Sequence, residues 1–136
     1  MDFVLDSSVA LAWLLPDETN ANTDSLADRL EQATAHVPQI WPLEVGNALI
    51  MARRRGRITD AELDHCVAAL SALPIEVDHS TGAGGLAGVL RIARRHGLTS
   101  YDAAYVELAQ RRGLQLATLD SRLRQVCKTL KVLVLP

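Results

Sequence analysis

Residues 3–16 read Phe3-Val4-Leu5-Asp6-Ser7-Ser8-Val9-Ala10-Leu11-Ala12-Trp13-Leu14-Leu15-Pro16. Three apolar residues ending on a carboxylate form a short buried strand. The spacing then turns helical from Ser7 to Leu15, until Pro16 stops it. A strand that passes straight into a helix is half of a strand–helix–strand crossover and predicts a parallel sheet. The unit recurs late in the chain, where Leu116-Ala117-Thr118-Leu119 ends at Asp120, Ser121 to Leu130 reads as a short helix, and Val132-Leu133-Val134 as a last strand.

Between these two units, Asp17 to Thr23 is polar and turn-like, and Leu26, Leu30 and Ala33 mark one face of a second helix. His36-Val37 is a short strand. Pro42 suits the first position of a helix that runs to Gly56 with Leu43, Val45, Leu49, Ile50 and Ala52 as its stripe. Thr59-Asp60-Ala61-Glu62 is a capping box that opens a helix with Leu63, Cys66, Val67 and Leu70 inward, ended by Pro74. Ile75-Glu76-Val77-Asp78 reads as a strand. Gly82, Gly84 and Gly85 lead into a helix through Leu86, Leu90 and Ile92 closed by Gly97, and they lack phosphate-loop spacing. Thr99 opens the next helix, with Ala103, Ala104, Val106, Leu108 and Ala109 inward, and Gly113 closes it. The alternation predicts one α/β domain over residues 1–136, a central, mostly parallel sheet of four to five short strands flanked by helices.

The chain has 136 residues and a formal net charge of −2, so any nucleic-acid contact must come from local patches and not from the whole field. Twelve of its fourteen basic residues are arginine, and all but Arg29 fall in groups: Arg53, Arg54, Arg55 and Arg57, then Arg91, Arg94 and Arg95, then Arg111 and Arg112, then Arg122 and Arg124. The reading places each group in a last helical turn, where a cation complements the helix dipole. Cys66 and Cys127 sit in apolar patterns and read as small core residues. With no signal peptide and no apolar run of about 18 residues, a soluble, reducing, cytoplasmic setting is expected, with no membrane partner.

Four acids, Asp6, Glu44, Asp102 and Asp120, each fall at or near a helix N-terminus, where a carboxylate serves as a cap. In a parallel sheet, strand C-termini and following helix N-termini gather along one edge, so four separate caps become one acidic site. Two carboxylates about 4 Å apart repel by ~4 kcal/mol at an effective dielectric of 20, and a cation is the natural remedy. All-oxygen ligation points to Mg²⁺, with Mn²⁺ as the other option; His36, His65, His79 and His96 show no ligand spacing. Mg²⁺ held by acids suits phosphodiester hydrolysis. Ser7 and Thr118 adjoin the acids and could hold a carboxylate or a water in place.

Val4-Leu5-Asp6-Ser7-Ser8, Pro42-Leu43-Glu44-Val45-Gly46-Asn47-Ala48-Leu49, Leu98-Thr99-Ser100-Tyr101-Asp102-Ala103-Ala104-Tyr105 and Leu116-Ala117-Thr118-Leu119-Asp120 resemble, in order, the four motifs of PIN-domain nucleases. Within that family the chain is most similar to the VapC toxins of toxin–antitoxin pairs. The resemblance implies a three-layer PIN-like fold and a Mg²⁺- or Mn²⁺-dependent endoribonuclease with Asp6, Glu44, Asp102 and Asp120 as catalytic and metal-binding residues. It also implies RNA as substrate, homodimerisation, and inhibition by a cognate VapB-like antitoxin. An alternative is a receiver-like Mg²⁺-binding signalling module, which wants paired acids after the first strand and a late lysine; here Ser7 follows Asp6, and the only lysines are Lys128 and Lys131. A PIN-like protein without activity is a second alternative. Val9, Leu11, Trp13, Leu14 and Leu15 hold more large side chains than one buried helix face needs, so part of this stripe is expected to be exposed as an antitoxin-docking surface.

Overall fold

The computed structural model describes residues 1–80 and 83–136. Its elements run β1 (Phe3–Leu5), α1 (Ser7–Leu14), a 3-10 turn (Pro16–Glu18), α2 (Ala21–Arg29), β2 (Ala35–Val37), α3 (Trp41–Arg54), α4 (Asp60–Ser71), β3 (Ile75–Val77), α5 (Ala83–His96), α6 (Ser100–Arg112), β4 (Gln115–Ala117), α7 (Ser121–Leu130) and β5 (Val134–Leu135). The strands pair in the order β3-β2-β1-β4-β5, every pairing parallel. β1 is central. Phe3, Val4 and Leu5 have no exposed surface, and because successive strand residues face opposite ways, the sheet must be covered on both sides. α6 packs on β1 and β4, with α5 and α7 against it, while α1 joins α2 to α3 and α3 carries α4. This is the expected three-layer α/β arrangement.

The local signals act as their chemistry requires. Thr59 and Glu62 form both bonds of the capping box that starts α4. Gly97 and Gly113, at φ +65° and +64°, follow α5 and α6 in the left-handed region that a Cβ disfavours.

Several sequence expectations are corrected. α2 begins inside the stretch read as a turn, because the Asn20 side chain accepts from the Asn22 N–H, and it ends before Leu30 and Ala33. Val67, Leu86, Leu90, Leu43 and Ile50 are exposed, since α4 and the outer sides of α3 and α5 have no further layer over them. The α1 stripe is divided, with Leu11, Trp13 and Leu14 only partly buried. Val9 and Leu15 are buried, Leu11, Trp13 and Leu14 pack on the core, and Trp13 Nε1 donates to the Thr23 carbonyl at 2.5 Å. Arg122 and Arg124 lie in the first turns of α7 and not in a last turn. The last strand falls at Val134–Leu135, starting two residues later and ending one later than read. Of the glycine-rich stretch, Gly82 lies outside the described residues.

Candidate active site

Parallel pairing brings the C-terminal ends of β1 and β4 side by side, and the Asp6 N–H donates to the Ala117 carbonyl at 2.9 Å across that junction. Asp6 follows β1 directly. Thr118 and Asp120 follow β4, Glu44 stands in the first turn of α3, and Asp102 in the first turn of α6.

Each acid is oriented by different chemistry. Asp6 is buried, and its Oδ2 accepts from the Ser8 and Thr118 hydroxyls, both at 2.7 Å. Although it stands at the N-cap position of α1, it makes no side-chain cap bond. Glu44 Oε1 accepts from the Tyr105 hydroxyl at 2.5 Å. Asp120 Oδ1 caps α7, taking the N–H groups of Arg122 and Leu123 at 2.9 and 3.0 Å. In all three, one oxygen is anchored while the other accepts no side-chain hydrogen bond among the described residues. Asp102 differs. The expected capping box at Thr99 is only half made: the Asp102 N–H donates to Thr99 Oγ1 at 3.1 Å, but no return bond from the carboxylate forms, so that carboxylate is not tied into the cap.

Of the two hydroxyls proposed from sequence, Thr118 holds Asp6 directly and also accepts the Asp120 N–H at 3.0 Å, bridging two of the acids. The second hydroxyl on Asp6 comes from Ser8 and not Ser7. Sequence reasoning missed Ser8 and Tyr105. Both lie within the four motifs: Ser8 reaches Asp6 from two residues away and accepts the Leu119 N–H at 3.0 Å, whereas Tyr105 meets Glu44 only through tertiary packing.

The electrostatics mark one shared site. Burial raises the pKa of Asp6 above the ordinary carboxylate value, opposed by its hydroxyl partners and reinforced by Asp120. Glu44 is raised by burial and by the charges of Asp6 and Asp102. Burial and the charges of Asp120 and Asp6 raise Asp102, with Arg122 acting in the opposite sense. The charge of Asp120 thus reaches Asp6 and Asp102, and the charges of Asp6 and Asp102 reach Glu44. Burial and Glu44 also push Tyr105 up, so its hydroxyl stays protonated and remains a donor.

In kind, these donors fit a hard divalent cation, being oxygen without sulfur or imidazole. In spacing the set is open: among the described residues no three His, Cys, Asp or Glu side chains come close enough to hold one ion together. The histidines stand elsewhere in role. His36 is buried on β2 against Asp2 at 2.9 Å, and His79 pairs with Gln39 on the surface. Leu43, Tyr101 and Leu119, each directly before one of the acids, are 70, 58 and 40 % exposed and give the site an apolar rim.

A family model described as PIN domain matches residues 3–129. Ribonuclease VapC3 of Pyrobaculum aerophilum is 30% identical over 136 residues, the full length of both chains. Ribonuclease VapC3 of Mycobacterium tuberculosis is 34% identical over 122 residues, 88% of this chain and 83% of that one. Among solved structures, PAE2754 from Pyrobaculum aerophilum superposes with a TM-score of 0.72 at 29% identity, covering 98% of this chain and 83% of that chain. With the family model covering nearly the whole sequence and both relatives matched over most of their length, the chain belongs to the PIN-domain family, among relatives named VapC.

Proposed function

We propose that this protein is a divalent-cation-dependent endoribonuclease that cuts single-stranded or looped RNA in the cytoplasm, as the toxin of a toxin–antitoxin pair. The observation that carries this reading is the placement of four acids on one sheet edge, three of them anchored through a single oxygen. The names of the relatives and the order of the four motifs support it. Mg²⁺, or Mn²⁺ in its place, would be held by Asp6, Asp102, Glu44 and Asp120 and would supply an activated water and charge shielding at phosphate.

The chain's own residues prepare the site. Ser8 and Thr118 fix the Asp6 carboxylate, Tyr105 fixes Glu44, and the start of α7 fixes Asp120, so three of the acids are oriented by the fold itself and a cation would have to draw their free oxygens together. The exposed Tyr101 ring and the Leu43 and Leu119 side chains offer surfaces on which unpaired bases can rest beside the acids. A signalling role through a late lysine is not favoured. Lys128 and Lys131 lie at the far end of α7, about 15 Å from Asp120 along a ten-residue helix.

Purified protein freed of inhibitor should cleave an unstructured RNA oligonucleotide with Mg²⁺ or Mn²⁺ and stop on addition of EDTA; cleavage that persists in EDTA would count against the reading. Thr118→Val, nearly isosteric, removes the donor to Asp6 and the acceptor for the Asp120 N–H together. It should lower metal affinity or cleavage by about 10- to 100-fold, as loss of a ligand-orienting group does. Isothermal titration with Mn²⁺ and a cleavage assay check this, and wild-type values in both would remove Thr118 from the site. We further propose a VapB-like antitoxin and a second copy of this chain as partners, with residues 1–136 acting as one catalytic unit. The partly exposed Leu11, Trp13 and Leu14 of α1 remain the proposed surface for the antitoxin helix.

A further inference from the structure

The helix dipole accounts for arginines at helix C-termini, such as Arg53 and Arg54 on α3 and Arg111 and Arg112 on α6. It does not account for Arg122 or Arg124, which stand near the positive end of α7, where a cation is disfavoured. Arg124 has another explanation: its guanidinium donates to the carbonyls of Thr118, Leu135 and Pro136 at 2.8, 3.3 and 3.0 Å, joining the end of β4 to β5. Arg122 does not. It is exposed, and its one hydrogen bond from the side chain runs from Nη2 to the Gly97 carbonyl at 2.5 Å.

That single bond fixes the direction of the side chain. A Cβ at position 97 would lie 3.0 Å from Arg122 Nη2, so the guanidinium rests over a glycine that leaves it room. At the other end the Arg122 backbone N–H is bonded to Asp120 Oδ1, and the charge of Arg122 is felt at Asp102. A planar fork with most of its five N–H donors unused among the described residues is therefore held at the turn between α5 and α6, two residues before the Thr99 cap of the helix that carries Asp102.

We infer that Arg122 is the clamp for a backbone phosphate of the RNA, holding the strand against the acidic edge through its charge and its free fork of donors. The inference rests on the endoribonuclease reading and gives one residue of this chain a defined part in substrate binding. Before RNA arrives, Arg122 moderates the crowded negative charge around Asp102; a phosphate then becomes the better partner, because a bidentate charge-assisted pair is stronger than an exposed contact with a distant carboxylate.

The test is fluorescence anisotropy of a labelled single-stranded RNA oligonucleotide on the full chain, with Ca²⁺ in place of Mg²⁺ and salt varied. Arg122→Met should bind about tenfold more weakly, with the slope of log affinity against log salt smaller by about 0.7, the value for one phosphate contact on a single strand. Arg122→Lys should keep the wild-type slope, having kept the charge, but recover only part of the affinity, having lost the fork. Thermal melts of both variants identify any loss due to unfolding, and Arg122→Lys carries the comparison if Arg122→Met does not fold. Wild-type affinity and slope in Arg122→Met would overturn the clamp. So would Arg122→Lys matching wild type in affinity, since the fork would then have no part. If the wild-type chain itself neither binds nor cleaves RNA, the endoribonuclease reading fails, a result distinct from these.

Discussion

Asp6→Asn should lower RNA cleavage by about three orders of magnitude, corresponding to several kcal/mol of lost transition-state stabilisation, while leaving the protein folded. Asn has the shape of Asp, and its amide oxygen can still accept from Ser8 and Thr118, which now meet at Asp6 Oδ2. What is lost is the negative charge of the free oxygen, on the most buried of the four acids. The folded variant gives up no stabilising ion pair, because none reaches Asp6 among the described residues. Its melting temperature should equal or exceed that of the metal-free wild type. Cleavage rates measured alongside circular-dichroism melts decide the matter, and near-native activity in a folded Asp6→Asn would exclude Asp6 from the reaction.

Asp102→Asn should separate stability from metal response. Asp6, Glu44 and Asp102 all have pKa values raised above their unfolded ones, chiefly by burial and further by neighbouring acids: Asp120 acts on Asp6 and Asp102, Asp6 on Glu44 and Asp102, and Asp102 on Glu44. A carboxyl raised in this way favours the folded state below its unfolded pKa, near 4, and that contribution is lost as pH rises through the folded value. Metal-free protein should therefore lose stability across this window on the way to neutral pH, and Mg²⁺, binding the ionised folded site, should restore much of the loss. The half-made cap at Thr99 sharpens the mutant's outcome. The Asp102 carboxylate gives no bond back to Thr99, so Asn removes a charge without removing a cap. In EDTA at neutral pH the variant should melt level with wild type or higher by about one to a few degrees, and it should gain less from Mg²⁺. Paired thermal scans with EDTA and with Mg²⁺ read both effects. A variant that melts lower in EDTA and responds to Mg²⁺ as wild type does would show that Asp102 stands outside the acidic cluster.

Much of this arrangement can be read from local chemistry. A run such as Phe3-Val4-Leu5 followed by Asp6 specifies a buried strand and the place where it stops, and Thr59 with Glu62 specifies a helix start to the residue. Because the strands are parallel, those stops gather on one edge, and the four acids with them. Periodicity is less informative about what covers a helix face. It groups Leu86 with Leu90, and Leu43 with Ile50, but no second layer reaches them. Nor does it identify partners distant in sequence. The Leu119 N–H finds the Ser8 hydroxyl only once β4 lies beside β1, and Tyr105 is one more apolar position of α6 until Glu44, 61 residues earlier, comes within reach of its hydroxyl. Arg122 and Arg124 were misplaced because a basic pair reads the same at either end of a helix, whereas the Asp120 cap fixes which end they occupy.

The bond between Asp6 and Thr118 spans 112 residues of sequence. It joins the first strand to be synthesised to one of the last, with the central position of β1 waiting for β4 to fill the neighbouring slot. A nascent chain that has emerged only through α6 already carries Asp6, Glu44 and Asp102, yet it has neither Asp120 nor Thr118, whose hydroxyl joins that of Ser8 on Asp6. The exposed edge of β1 also remains unpaired at that stage. Contacts of such long range are slow to form and come late in folding. A protein able to damage RNA is thus unarmed while it is itself being translated, because assembly of its cutting edge is deferred until the β4–α7 segment has joined the fold.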